Sequence, residues 1–426
     1  MLLISLDTLR RDRLGAYIPG TDTTPNLDAF AAKGFRFNQA YSHHPWTLPA
    51  HASILSGLYP SVLDVGVDRA MNDAVQTLPE IFGGIGYQTF GLVDNCKWLA
   101  PKFGFEQGFD EYAVKVTNAA EKVEAVLAHL DSLTKAPFFG FVHFFDAHSD
   151  FDRLPYDSRA DFQDQYAGWY EGNFDGSLPD QPDWGHSSNL LQRLNDEGRV
   201  LEGDDRRYLA SLYDAGVRTL DASLGELFHG LEQRGLFDNT IVVIVSDHGE
   251  EFFEHGHALH NGHFDELIRV PLLLRVPSGS TGVSDAFVGH VDLAPSLLEL
   301  AGVAIPGDMQ GRSIAPVTRG EALENDRDHV LTDNGSFLGL RSAEEAAISG
   351  LDGLRYHLAE SDPQQLDNLI AHPQHQQRVL ALTNWLTKQR AEMAPLRARF
   401  AAMPGSVELD EGELSDLAKL GYLHKD

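Results

Sequence analysis

Short, unbroken apolar runs recur along this chain, each followed by a stretch with the period of an amphipathic helix, and that alternation narrows the available folds more than any other feature. Residues 2–6, 88–93, 138–145, 240–245 and 270–276 read as strands. Residues 119–133, 208–234 and 293–301 read as helices. A strand that is apolar at every position is buried on both faces. The reading is therefore α/β: a mostly parallel central sheet flanked by helices, spanning residues 1–320. A polar insertion at 150–204, with Gly, Pro, Trp and Tyr, reads as a loop that shapes a substrate pocket. Beyond Arg319 the pattern changes. Residues 321–426 read as a smaller C-terminal α+β subdomain, with short strands at 326–333 and 353–359 and a polar helix at 371–394.

Charge restricts the partners. With 33 basic and 63 acidic side chains the formal net charge is -30. Such a surface repels phosphate backbones and anionic lipid, so nucleic acid and membrane surfaces are disfavoured. An anionic small-molecule substrate needs a local reversal of that field, and a bound cation supplies one. Cys96 is the single cysteine, so no intrachain disulfide forms and the redox compartment stays open. No apolar run approaches the ~18 residues of a membrane span. The chain runs from Met1 straight into a strand, with no basic region and no small-residue cleavage site, so a cytoplasmic location is expected.

Three of the predicted strands end alike. The first runs into Asp7, the fourth into Asp247-His248-Gly249-Glu250, and the third into Asp146-Ala147-His148. In open parallel sheets ligands bind beyond the carboxyl ends of the strands. Carboxylates and imidazoles gathered there are ligands for a divalent cation. A lone Asp at a strand end reads as a turn or a cap; three such ends with histidines beside them do not. The segment His44-Pro45-Trp46-Thr47-Leu48-Pro49-Ala50-His51 reads first as a short helix, with Thr47 as N-cap, Pro49 in the first turn and Gly57 closing it. A helix N-terminus also attracts anions, and a hydroxyl held there against a metal becomes a nucleophile.

These motifs, in this order, resemble the sulfatase family of the alkaline-phosphatase superfamily. Thr47-Leu48-Pro49-Ala50-His51-Ala52 with Ser56-Gly57 is similar, in register, to the family signature Cys/Ser-x-Pro-Ser-Arg-Ala followed by Thr-Gly. Leu6-Asp7-Thr8 resembles its amino-terminal metal motif, and Ser246-Asp247-His248-Gly249-Glu250 resembles its second. His260-Asn261-Gly262-His263-Phe264-Asp265-Glu266 before Val270-Pro271-Leu272 is similar to a Lys-Gly-x-x-Tyr-Glu-Glu segment. The resemblance implies a cation held by Asp7, Thr47, Asp247 and His248, with Thr47 as the nucleophile and His51 orienting it. It implies that His148 and His260 bind the anionic group or protonate the leaving oxygen. A two-metal alternative places a second cation on Asp146, His148 and either His260 or His263. The mixed oxygen and nitrogen ligands favour Mn²⁺ or Zn²⁺ over Ca²⁺.

The departures shape the functional expectation. Sulfatases oxidise Cys or Ser to formylglycine, and Thr47 cannot yield that aldehyde. The signature Arg is His51, and the family Lys is His260. Threonine in this position resembles the phosphoesterase branch, so a phosphate monoester or diester is the expected substrate, preferred over sulfate by ~100-fold, about 2.7 kcal/mol. Hydrolysis of a sulfuric ester is the alternative. A third reading, from another class, is an inactive family member that binds an anionic glycan.

Overall fold

The computed structural model describes residues 1–94, 96–115, 117–133, 137–149, 156, 158–172, 174, 187–260, 262–277, 280–323, 326–333, 338–350, 353–401 and 405–409. Its centre is an eight-stranded sheet. In chain order the strands are β1 (Leu2–Leu6), β2 (Phe35–Tyr41), β3 (Gln88–Asp94), β4 (Glu111–Lys115), β5 (Phe138–Phe144), β6 (Val242–Val245), β7 (Leu272–Arg275) and β8 (Gly282–Gly289). Across the sheet they run β8-β2-β7-β6-β1-β5-β3-β4. All neighbours pair parallel except β7, which is antiparallel to both β2 and β6. The expected mostly parallel sheet is present, and β7 is its exception: among the described residues the chain between β6 and β7 contains one helix of four residues, α4 (Asp265–Ile268), too short for a parallel crossover.

Alternate residues of the central strands feed two cores. Leu2, Ile4 and Leu6 pack on one side with Val142, Phe144, Val242 and Ile244. Leu3 packs on the other with Phe139, Phe141, Val243 and Val245. Both faces are thus covered, the physical reason for the unbroken apolar runs. Helix α3 (Gly203–Gln233) lies over the first face through Leu209, Tyr213, Val217, Leu220, Leu224, Leu227 and Leu231, a spacing of three and four. On the same face α2 (Ala119–Ser132) contributes Val123, Val126 and Leu130. On the opposite face α1 (Thr47–Ser56) and α5 (Leu293–Leu300) bury Leu48, Ile54, Leu55, Leu293, Leu297 and Leu298.

A second, antiparallel sheet follows: β9 (His329–Asp333), β10 (Leu338–Ser342), β11 (Glu345–Gly350) and β12 (Gly353–Leu358), in that order. It carries the long helix α6 (Gln376–Ala401), which starts five residues later than the sequence pattern suggests. Residues before it form 3-10 turns, Leu369–Ala371 and Pro373–His375, because Pro373 has no N–H to continue a helix. Of the insertion at 150–204, residues 150–155, 157, 173 and 175–186 lie outside the described residues. The remainder includes the helices Ala160–Ala167 and Ser187–Asp196. Among the described residues no helix is long and apolar enough to cross a membrane.

Candidate active site

Strand β1 lies between β5 and β6, with Leu6 opposite Phe144 and Ser5 opposite Val245. Three parallel strands in register release their chains at one edge. Asp7 leaves β1, Asp247 leaves β6 one residue beyond Ser246, and Asp146 leaves β5. Asp7, Asp247 and His248 are fully buried, and one ligand atom from each lies within 4.8 Å of the others. The Nδ1 of His248 faces the carbonyl of Gly249 at 3.0 Å, so that nitrogen carries the proton and Nε2 presents a lone pair. This Nε2 is 3.4 Å from Asp247 Oδ2 and 3.8 Å from Asp7 Oδ1. Asp247 Oδ2 is buried without a hydrogen-bond donor among the described residues. Two buried carboxylates and an imidazole lone pair converging in this way form a cluster able to coordinate a divalent cation.

The backbone here is held in one unusual conformation. Thr8 has φ 54°, left-handed and strained for a β-branched residue. Its N–H donates to Asp247 Oδ1 at 3.2 Å, its hydroxyl donates to the Ala147 carbonyl at 3.0 Å, and its carbonyl accepts from Tyr213 at 2.7 Å. Thr8 thereby ties all three strand ends together with its hydroxyl turned onto Ala147. Gly249 is required on the other side. A Cβ there would stand 1.9 Å from the carbonyl oxygen of Glu266, while the Gly249 N–H donates to Leu267 at 2.7 Å.

Helix α1 brings Thr47. The N-cap is Trp46 rather than Thr47, and the first residue of the helix is Thr47 itself. Its hydroxyl is therefore free of capping duty. It lies 3.4 Å from Asp7 Oδ2 and 3.5 Å from His248 Nε2. His51, one turn on, meets the Thr47 carbonyl through Nδ1 at 2.7 Å and Ser5 Oγ through Nε2 at 2.7 Å. A carbonyl only accepts, so Nδ1 is the donor and Nε2 takes the Ser5 proton. His51 thus grips the backbone of Thr47, with both nitrogens occupied. Burial pushes its pKa down to about 3, which keeps it neutral.

The other histidines form a wall beside this cluster. His148 stacks on Phe145 at 4.2 Å and meets the His260 ring edge-on at 5.3 Å. His260 lies 4.5 Å from His248. His260 Nδ1 is 3.3 Å from Glu250 Oε1, so the carboxylate fixes the ring. Burial, then the neighbouring imidazoles, lower the pKa of His148, which is neutral at pH 7. The ring of His263 is 6.1 Å from that of His44. Burial and Arg341 bring its pKa down to about 4.

Asp146 turns elsewhere. Its Oδ1 accepts the N–H of Ala119 at 2.6 Å, at the start of α2, and burial with the charge of Asp94 raises its pKa to about 7. Among the described residues the only metal-capable cluster is Asp7, Asp247 and His248. Two participants were missed in the sequence. Glu250, three residues beyond Asp247, meets His260 through its carboxylate. His143, the middle residue of an apolar strand, is fully buried and donates from Nε2 to Asp7 Oδ2 at 3.0 Å. A histidine facing inward one strand away from a metal-motif Asp was the available signal.

Comparison with known proteins fits this geometry. The sequence model of the sulfatase family, described as Sulfatase, matches residues 1–303. An uncharacterized sulfatase, YidJ, of Escherichia coli is 25% identical over 427 residues, covering 87% of this chain and 82% of the relative. The Delta 4,5-hexuronate-2-O-sulfatase of Bacteroides thetaiotaomicron is 24% identical, covering 93% and 90%. Among solved structures, BT4656 in complex with its substrate D-glucosamine-2-N,6-O-disulfate superposes with a TM-score of 0.74 at 21% identity, covering 93% of this chain and 98% of that one.

These matches overturn the expectation of a phosphomonoesterase or phosphodiesterase. Similarity runs through nearly the whole chain to proteins described as sulfatases, and it favours the sulfuric-ester alternative. Losing the aldehyde changes how a covalent ester is opened; it does not set which tetrahedral anion the site accepts. From its sequence, its central sheet and the cluster at the sheet edge, the chain belongs to the sulfatase family.

Proposed function

We propose that this protein is a metal-dependent sulfuric-ester hydrolase that acts on sulfated sugars and uses the unmodified hydroxyl of Thr47. The observation that carries the reading is the position of that hydroxyl, 3.4 Å from Asp7 and 3.5 Å from His248 at the first residue of a helix, in a chain of the sulfatase family. Relatives described as a hexuronate 2-O-sulfatase and an N-acetylglucosamine-6-O-sulfatase support a sugar as the alcohol.

Asp7, Asp247 and His248, with Thr47, would hold the cation, and the donor set of carboxylate, imidazole and hydroxyl suits Mn²⁺ or Zn²⁺. When bound, such an ion lowers the pKa of a coordinated hydroxyl and polarises the ester oxygens. It also reverses the local field of a strongly acidic protein for an anionic substrate.

The protein groups have separable tasks. Asp7 Oδ2 accepts the Thr47 proton as Oγ attacks sulfur. The sulfur–oxygen bond to the sugar breaks, and His260, as an imidazolium held by Glu250, gives the leaving oxygen its proton from Nε2. The resulting threonyl sulfate has one oxygen to carbon and no second hydroxyl, so water must attack sulfur to return Thr47. His148, neutral and stacked on Phe145, takes the water proton, and Asp7 gives its proton back to Thr47 Oγ as the enzyme's sulfur–oxygen bond breaks. His51 and Ser5 keep the first turn of α1 from moving during both steps.

The test is a panel of sulfated monosaccharides and aryl sulfates run with Mn²⁺, Zn²⁺ and Ca²⁺, with released sulfate measured by ion chromatography. Metal-dependent release from at least one sugar sulfate is expected. No release with any of the three ions contradicts the proposal.

A further inference from the structure

The second sheet meets the segment before α4 through a buried cation. Arg341 on β10 is buried, with 2% of its surface exposed. Its Nε donates to Asp265 Oδ1 at 2.6 Å. Its Nη2 donates to the carbonyl of His263 at 2.6 Å and to Gln365 Oε1 at 3.2 Å. Gln365 completes the arrangement: its Nε2 donates to the same Asp265 oxygen at 2.8 Å, and its Oε1 accepts the Asp265 N–H at 3.2 Å. One guanidinium and one amide thus hold the carboxylate, the N–H and a neighbouring carbonyl at the start of α4.

Helix α4 has only four residues, and its backbone is tied to the Asp247–Glu250 turn on one side and to the end of β2 on the other. Gly249, between His248 and Glu250, donates its N–H to Leu267, with no room for a side chain against Glu266. The Ser42 N–H donates to Ile268 at 2.7 Å. Upstream of α4 the chain carries His260 and His263; a shift of α4 displaces that segment and the Asp247–Glu250 turn together. Four residues have too little helical hydrogen bonding of their own to resist.

We propose that Arg341 is a positioning residue: through Asp265 and the His263 carbonyl, the C-terminal sheet fixes the segment that presents His260 to the Asp7, Asp247 and His248 cluster. The catalytic consequence rests on the hydrolase reading above; the mechanical one does not. The planar fork matters because Nε and Nη2 serve three acceptors in one fixed arrangement, and an ammonium cannot reproduce that.

The experiment uses the full chain with Arg341→Lys, and Gln365→Ala as a milder second variant that carries the test if the first does not fold. Amide hydrogen exchange is followed by mass spectrometry at 258–268 and, as reference, at 242–245 in β6. Faster exchange confined to 258–268 is expected in each folded variant. On a sulfate ester turned over by the parent, kcat falls roughly 10- to 100-fold, while KM moves by less than about three-fold. Unchanged exchange at 258–268, or an equal rise at 242–245, overturns the proposal, as does a loosened segment with undiminished kcat. If the parent releases no sulfate, the hydrolase reading fails and the exchange result alone decides the role of Arg341.

Discussion

Replacing His143 by Phe isolates the support beneath the metal cluster. His143 is fully buried, and its Nε2 donates to Asp7 Oδ2 at 3.0 Å. Its ring lies 5.1 Å from His51 and 6.2 Å from Phe145, so an aromatic replacement retains the packing and removes only the donor. Loss of a hydrogen-bond partner to a metal-ligating side chain typically costs 10- to 100-fold in metal affinity, about 1.4–2.7 kcal/mol. The effect appears as lost metal stabilisation. At a metal concentration about 100 times the parent Kd, the ion adds about 2.7 kcal/mol to folding. A roughly 30-fold weaker Kd leaves about 0.9 kcal/mol at the same concentration. Titration calorimetry with Mn²⁺ gives the Kd, and urea unfolding with and without the ion gives the linkage. The difference between the two unfolding curves cancels any change in the metal-free protein. An unchanged Kd in His143→Phe refutes the view that this histidine orients Asp7 for a cation.

Three other outcomes follow from the same coordinates. Asp247→Asn exchanges a buried carboxylate ligand for a neutral amide and should abolish Mn²⁺ binding by calorimetry; turnover that survives both this change and a chelator excludes the metal cluster from the reaction. Gly249→Ala forces a methyl group against the Glu266 carbonyl, with a built separation of 1.9 Å, and should destabilise the fold by about 3 kcal/mol in urea unfolding, because backbone on both sides must move. His43 concerns pH: its Nδ1 donates to Leu331, its Nε2 accepts from Val291, and burial lowers its pKa from 6.5 to about 3. A depressed base stabilises the fold above its unfolded pKa and loses that contribution as pH falls from about 6.5 toward 3. His43→Gln should therefore flatten the stability–pH slope in that window by up to ~1.4 kcal/mol per pH unit, and a parallel slope in the two proteins contradicts this.

How much of this was readable beforehand depended on burial. Strands β1, β3, β5, β6 and β7 are enclosed on both faces and announce themselves as apolar runs. Strand β4 is an edge with exposed Glu111 and Lys115, and β8 begins half exposed, so neither leaves a continuous signal. Strand β2, Phe35–Tyr41, alternates in its first half and then reads like a loop through Asn38 and Gln39. The antiparallel course of β7 was hidden because strand direction depends on the connection, and α4 is too short to register as a helix. Asp7 and Asp247 meet as their strand-end positions suggest, whereas Asp146, at a third strand end, turns to the start of α2. The tasks of individual histidines were not, since they hang on partners distant in sequence, such as Ser5 for His51 and Glu250 for His260. The N-cap was misplaced by one residue. Trp46 is a poor capping residue by composition, yet the helix begins after it and releases the Thr47 hydroxyl toward Asp7. The insertion also proved less separate than its polarity suggests. Asn195 pairs with the Ala258 backbone at 2.9 and 3.0 Å, two residues before His260.

The most direct test of the central claim compares two esters of one sugar alcohol, a sulfate and a phosphate, with the parent, Thr47→Ser and Thr47→Ala in the presence of Mn²⁺. The parent should release sulfate, Thr47→Ser should keep part of that rate, and Thr47→Ala should fall by at least ~1,000-fold, about 4 kcal/mol of transition-state stabilisation. Sulfate release undiminished in Thr47→Ala, or phosphate release by a parent that leaves the sulfate ester intact, would contradict the account.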